Sequence, residues 1–163
     1  MAKAWHRSTA GQHPFGQGLR NVADFFTGRP AAIGAMLAIA TVPLHLFLTK
    51  LQSEQFAALL LACMGAIYAG FALQKGNLSQ IAAEAGGFIV CFAGALVALW
   101  ASAWVVPFSY VAHGIWDYAH HEGSKLAPKS WKFVAIPLWY PPWCAAYDFV
   151  AAASLATIWS VRN

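Results

Sequence analysis

Long apolar runs are the feature of this sequence that most restricts its fold. Three runs, at 31–49, 56–73 and 142–161, are each close to the roughly 20 residues that an α-helix needs to cross a membrane. Only 10% of the residues are charged, against about 25% in ordinary globular domains. The chain is therefore predicted to be an all-α integral membrane protein, which excludes a soluble enzyme, a disordered tail and a secreted disulfide scaffold.

A fourth apolar tract, Leu78–His121, decides how often the chain crosses the membrane. As one helix its 44 residues would measure about 66 Å, more than twice the hydrocarbon thickness. Halved at Trp100–Ala103, it gives two helices of suitable length, at 79–99 and 104–121. The sequence then predicts a bundle of five transmembrane helices, at about 31–49, 56–73, 79–99, 104–121 and 142–161.

The basic residues favour five spans over four. Five spans place eight Lys and Arg on the N-terminal side and two on the other, whereas four spans give six and four near the membrane. Because basic loops stay in the cytoplasm, the N-terminus is predicted to be cytoplasmic, with a bacterial plasma membrane as the location. The net charge of +4 is thus ascribed to loops, and no nucleic acid is expected as a partner.

Two regions are expected along the chain. Residues 1–29 form a polar N-terminal arm, and 30–163 form the transmembrane bundle. Within the arm, Leu19–Phe26 reads either as a short amphipathic helix on the membrane surface or as a mobile segment. His45 lies near the far end of the first span and is expected to be structural or interfacial.

The densest group of polar residues is the stretch HGIWDYAHH in the predicted fourth helix. His113, Asp117, His120 and His121 fall within about 100° of arc, on one helix face. A histidine-capped helix end explains the last two, but His113 and Asp117 lie deeper. Ionisable residues inside a membrane are costly, on the order of 3 kcal/mol each, and indicate a functional site.

The five-span topology brings two other helices to the same depth. Around the turn near Trp100–Ala103, Glu84 lies level with Asp117, and Asp148 is about 10 Å into the last helix from the same side. Cys144, Tyr147 and Asp148 share one face of that helix through their i, i+3, i+4 spacing. A shared site on the cytoplasmic side is therefore predicted, and it depends on the topology.

The motifs HGIWDYAHH and WYPPWCAAYD resemble a family of small bacterial and fungal integral-membrane proteins described as a domain of unknown function. The family pattern is a glutamate in an earlier apolar helix, then HGxWDxxHH, then WYPPxCxxYD, and the resemblance covers about Ile67–Asp148. The resemblance implies membership but no mechanism. The matching positions are Glu84, His113, Gly114, Trp116, Asp117, His120, His121, Trp139, Tyr140, Pro141, Pro142, Cys144, Tyr147 and Asp148.

Metal binding is the sharpest interpretation of these residue types, since His, Asp and Glu are ligands of Zn²⁺ and Fe²⁺. The predicted metal ligands are on the fourth helix, at His113, Asp117, His120 and His121. Glu84 and Asp148 are predicted either to complete the ligand set or to act as catalytic bases. The remaining cofactor-binding residues are predicted to be Tyr140, Cys144 and Tyr147.

Two classes of function stay open. The first is a metal-dependent enzyme, a hydrolase or an oxygenase, acting on a lipid or isoprenoid substrate reached from the bilayer. The second is a non-catalytic subunit that binds a pigment or cofactor, or helps to assemble a membrane complex, with the polar residues as a hydrogen-bonded network. A homo-oligomer or a membrane-complex partner is compatible with either class.

Overall fold

The fold is described from a computed structural model that covers residues 18, 22, 24–120, 125–126 and 133–162. All regular elements in these ranges are α-helices, which confirms the predicted class. Most of the N-terminal arm and His121 lie outside the described residues. The arm's predicted amphipathic segment is described only in part.

The described ranges contain six helices rather than five. The first, α1, is described at residues 24–28, where it overlaps the predicted surface helix. The five that follow correspond to the five predicted spans. They are α2 (Pro30–Phe47), α3 (Lys50–Lys75), α4 (Leu78–Trp100), α5 (Val105–His120) and α6 (Tyr140–Val161).

Four of these helices, α2, α3, α4 and α6, are long and apolar enough to cross a membrane. The prediction of five such helices is too high by this measure, because α5 has only 16 residues. At 1.5 Å per residue it is about 24 Å long, below the roughly 30 Å of a hydrocarbon core. Four helices of membrane-spanning length still indicate a multi-pass membrane protein.

Local signals explain the helix ends. Pro30 opens α2 at a position where its missing N–H is not needed. Thr49 and Gln52 form a reciprocal capping box at the start of α3, and Asn77 does the same with Gln80 for α4. The helix contains the predicted span 56–73 and extends beyond it, because this box begins α3 at Lys50 and the helix passes through polar residues before the apolar run starts.

Successive helices from α2 to α5 run antiparallel because their connections are short. The connections 48–49 and 76–77 have two residues each, and 101–104 forms the turn predicted between the two central helices. We call end A the end of the bundle that holds Pro30, Lys75, Leu78, His120 and Tyr140, and end B the opposite end.

Small residues allow the close packing of the bundle. A Cβ on Gly34 of α2 would overlap the backbone carbonyl of Trp143 on α6. A Cβ on Gly65 of α3 would lie 2.7 Å from Cβ of Cys91 on α4. Glycine at these positions therefore brings α2 against α6 and α3 against α4, as small residues do between membrane helices.

A polar clasp closes end B. His45 Nδ1 lies 2.9 Å from Ser53 Oγ, and the indole N–H of Trp159 donates to the same oxygen at 2.9 Å. Arg162 then donates to the backbone carbonyls of His45 and Leu48, at 2.7 and 2.6 Å. This end-B clasp ties α2, α3 and α6 together and confirms the structural role predicted for His45.

Candidate metal centre

The site begins with a contact between α5 and α6 toward end A. His113 Nδ1 is hydrogen-bonded to Oδ2 of Asp148 at 2.7 Å, and Oδ2 of Asp117, one turn along α5, lies 3.6 Å from the same nitrogen. A Cβ on Gly114 would lie 3.1 Å from the ring of Phe149 and 3.3 Å from Cβ of Asp148. The absence of a side chain at Gly114 thus lets the two helices approach closely enough for this contact.

A third helix contributes Tyr68, which the sequence interpretation missed. Its hydroxyl donates to Oδ1 of Asp117 at 2.6 Å, within the range of a hydrogen bond to an ionised acceptor. Tyr68 is about as far from the α3–α4 connection as Glu84 is on the other side. The depth argument that placed Glu84 would have found Tyr68, had hydroxyl groups been considered along with charges.

Four side chains in this region could hold a metal ion. One ligand atom from each of His113, Asp117, Cys144 and Asp148 lies within 4.8 Å of the others, and all four residues are buried. We call this group the inner cluster. It combines nitrogen, oxygen and sulfur donors, a set that suits Zn²⁺ or Fe²⁺.

The hydrogen bonding of the inner cluster is incomplete. Within the described part of the chain, His113 Nε2, Asp117 Oδ2 and Asp148 Oδ1 are buried without a hydrogen-bond partner. Leaving a buried polar atom unpaired costs about 1–3 kcal/mol, and more for charged groups. An ion that accepts lone pairs from these side chains would remove that cost.

A second pair lies nearer to end A. His120 Nε2 contacts Oε1 of Glu84 at 2.8 Å, and its Nδ1 donates to the carbonyl of Trp116 at 2.9 Å. Both ring nitrogens of His120 thus contact an oxygen atom. The ring also packs on Phe133, with centroids 3.8 Å apart. We call Glu84 and His120 the outer pair.

The predicted site residues thus divide into several groups. Of the four predicted ligands, only His113 and Asp117 belong to the inner cluster, because His120 is turned toward Glu84 and His121 lies outside the described residues. Asp148, predicted as a base, and Cys144, predicted near the cofactor, join that cluster. The predicted convergence of three helices at one depth is confirmed, whereas the role of each residue stays a prediction.

The two tyrosines predicted near the cofactor occupy different places. Tyr140 packs on Tyr68, with ring centroids 5.6 Å apart, and its buried hydroxyl has no partner among the described residues. Tyr147 stacks on Trp143 and contacts Thr41 of α2. Tyr140 therefore contacts the hydrogen-bond donor to Asp117, whereas Tyr147 packs toward α2.

A mostly apolar cavity of about 850 Å³ lies beside these groups, between α3, α4 and α5. Its lining includes Tyr68, Glu84 and His113, which belong to the site, together with Trp116 and Phe133. An apolar cavity with a few convergent polar groups is the usual form of a small-molecule site.

No protein-family model, curated protein or solved structure matches this chain. The family resemblance of the two motifs stays a prediction, and the function has to be inferred from the geometry of the site.

Proposed function

We propose that this protein is a membrane-embedded, divalent-metal-dependent enzyme that acts on a lipid or isoprenoid substrate. The observation that carries the proposal is the inner cluster, in which two helices present four potential ligands within 4.8 Å. The apolar cavity beside it supports an apolar substrate. We also keep the resemblance to the integral-membrane family of unknown function as part of the proposal.

Charge balance supports a divalent ion at the inner cluster. Asp117 and Asp148 are both fully buried and lie close enough to repel each other when ionised. A protonated His113 would offset only one of their two charges. A divalent cation held by Asp117, Asp148 and a neutral His113 imidazole would balance the charge of the two carboxylates, which a low-dielectric interior favours.

A bound divalent ion would supply Lewis-acid activation of a water or a carbonyl at the cluster, and Fe²⁺ would in addition supply electrons to O₂. Glu84 lines the cavity without belonging to the cluster, and it is the best placed residue to move a proton to or from a substrate. Tyr68 fixes the orientation of the Asp117 carboxylate through its 2.6 Å hydrogen bond. Hydrolysis and oxygenation both remain open as the reaction.

The proposed orientation places end A, and with it the site, at the cytoplasmic face of a bacterial plasma membrane. The support is the excess of basic residues in the segments that the fold assigns to end A, in keeping with the positive-inside rule. The substrate would then enter from the inner leaflet.

Metal analysis of the purified protein tests the proposal. We expect about one equivalent of Zn or Fe in the wild type, and less than about a tenth of that in Asp117→Asn and Asp148→Asn, because each change removes an anionic ligand. Glu84→Gln should keep the metal, since Glu84 belongs to the outer pair. Glu54→Gln, at the end-B side of α3, is the matched control. A wild type purified without chelator that holds no metal would overturn the proposal.

A non-catalytic subunit is the second candidate, and one observation favours it. Tyr68, Asp117, His113 and Asp148 already form a partly satisfied hydrogen-bonded chain across three helices, which would join them without an ion. The aromatic rings around Tyr140 could border a pigment. This candidate predicts a metal-free protein, with a visible absorption band if a pigment is held.

A further inference from the structure

Contacts between α4 and α5 close the cavity at both of its ends, toward end A and toward end B. Toward end B the helices touch, since a Cβ on Gly94 would lie 2.8 Å from Oγ of Ser109. Toward end A the outer pair joins Glu84 to His120 at 2.8 Å. Between these contacts the helices separate, and the space of about 850 Å³ lies in the gap.

Small residues on α4 create this space. Gly86, Gly87 and two alanines line it, and an added Cβ at Gly87 would meet the Trp116 ring at 3.5 Å, an ordinary contact distance. Val90 also lines the cavity and is 69% exposed on the outside of the bundle. Because Val90 lies midway along a membrane-length helix, the cavity opens sideways, toward the hydrocarbon of the bilayer.

Two cavity-lining side chains have an atom without a hydrogen-bond partner within the described ranges, Glu84 at Oε2 and His113 at Nε2. The Glu84 side chain is fully buried, and its Oε1 is held by His120. A carboxylate accepts hydrogen bonds at both of its oxygens, so Oε2 offers an unused acceptor position for a hydrogen-bond donor.

We propose that this cavity binds a single-chain apolar molecule ending in a hydroxyl or an amine, which donates to Oε2 of Glu84. The chain enters between α4 and α5 from the membrane, and its polar end lies beside His113, which also lines the cavity. As the substrate of a metal-dependent enzyme, this molecule rests on the proposed function. Its binding requires only the cavity and Glu84.

Photolabelling tests the site. A hexadecanol probe with a mid-chain diazirine is irradiated with the purified full chain in lipid nanodiscs, and labelled peptides are identified by mass spectrometry. We expect labels on α4 and α5, competed by unlabelled hexadecanol or hexadecylamine and not by hexadecane. The better competitor identifies the donor. Glu84→Gln should weaken the competition about tenfold, since a hydrogen bond to a charged group is lost.

A cavity-filling variant provides the second readout. Gly87→Leu should reduce labelling about tenfold by occupying the space next to Trp116. Gly70→Leu, on α3 outside the cavity lining and with open space around its Cβ position, is the matched control and should leave labelling unchanged. Equal competition by hexadecane would overturn the role of Glu84, and labelling unaffected by Gly87→Leu would overturn the pocket.

Metal content measured on the same samples separates the two proposals. A metal-free wild type that still takes the label on α4 and α5 would overturn the proposed enzyme and leave this binding site standing. A wild type that holds metal but takes no competable label would overturn the binding site alone.

Discussion

Two buried tyrosines differ in the kind of acceptor that their hydroxyls reach. Tyr68 donates to a carboxylate oxygen of Asp117 at 2.6 Å, whereas Tyr110 donates to the backbone carbonyl of Ala57 at 3.1 Å. Both rings are almost completely buried. The pair therefore offers a direct measure of whether Asp117 is ionised in the folded protein.

Removal of the two hydroxyls should have unequal costs. We expect Tyr68→Phe to lower the free energy of unfolding by about 1.5–3 kcal/mol, because a bond to a charged acceptor is lost, and Tyr110→Phe by about 0.5–1.5 kcal/mol. Unfolding by SDS titration in mixed micelles would measure both. Equal losses would contradict an ionised Asp117.

For single residues, the sequence predicted how deep a side chain lies in the bundle, but it did not predict the direction in which the side chain points. The distances of Glu84 and Asp117 from the central turn predicted that they share a level. The direction of His120 depends on a hydrogen bond to the carbonyl of Trp116, and such a contact leaves no trace in residue spacing. Cys144 was undervalued for a related reason, since a buried thiol usually only fills space.

Among the contacts between helices, the one between α2 and α6 leaves the least space for a side chain. Gly34 lies against the backbone of Trp143, so there is no flexible side chain there that could move aside. Two helices cannot approach more closely than with their backbones in contact. This contact depends on the absence of a Cβ methyl group at Gly34.

Gly34→Ala should therefore separate these helices. Overpacking costs about 1–3 kcal/mol even where side chains can adjust, and we expect at least this loss in the free energy of unfolding. Gly70→Ala, which meets no atom within 4 Å, is the control and should be neutral or slightly stabilising. A comparison of thermal unfolding in one detergent would measure both, and similar midpoints would contradict the packing described.

Element boundaries were predictable where hydropathy changes sharply and unpredictable where a helix extends through polar residues. The turn between α4 and α5 was found because a helix of the full tract would overshoot the bilayer. The start of α3 was missed because Lys50, Gln52 and Ser53 are polar, although the capping box and the end-B clasp use two of them. A search for periodic apolar residues cannot detect the polar contacts of a capping box or of the end-B clasp.

For the whole molecule, the short helix α5 decides the topology. Its contacts at Gly94 and at Glu84 show that it runs antiparallel to α4, although with 16 residues it is not of full membrane length. The clasp of Arg162 with His45 and Leu48 holds the end of α6 at end B, where the 101–104 turn also lies. We therefore expect the end of α6 and this turn on the same side of the membrane.

Reporter fusions test this arrangement in the membrane. We expect a reporter at 76–77 to be cytoplasmic, and reporters at 101–104 and directly after α6 to be on the outer side, because five crossings reverse the side each time. Alkaline phosphatase and green fluorescent protein activities would measure this in bacteria. A cytoplasmic reporter after α6 would contradict five crossings.

The end-B clasp also bears on the order of biosynthesis. Arg162 donates to the carbonyl of His45 across 117 residues of chain, so α2 meets α6 only when α6, the last of the described helices, has been made. Until then, the glycine face of α2 is open to lipid, and the emerging chain holds an incomplete bundle. The helix bundle can therefore close only after α6 has been translated, and the insertion of an earlier helix is not sufficient.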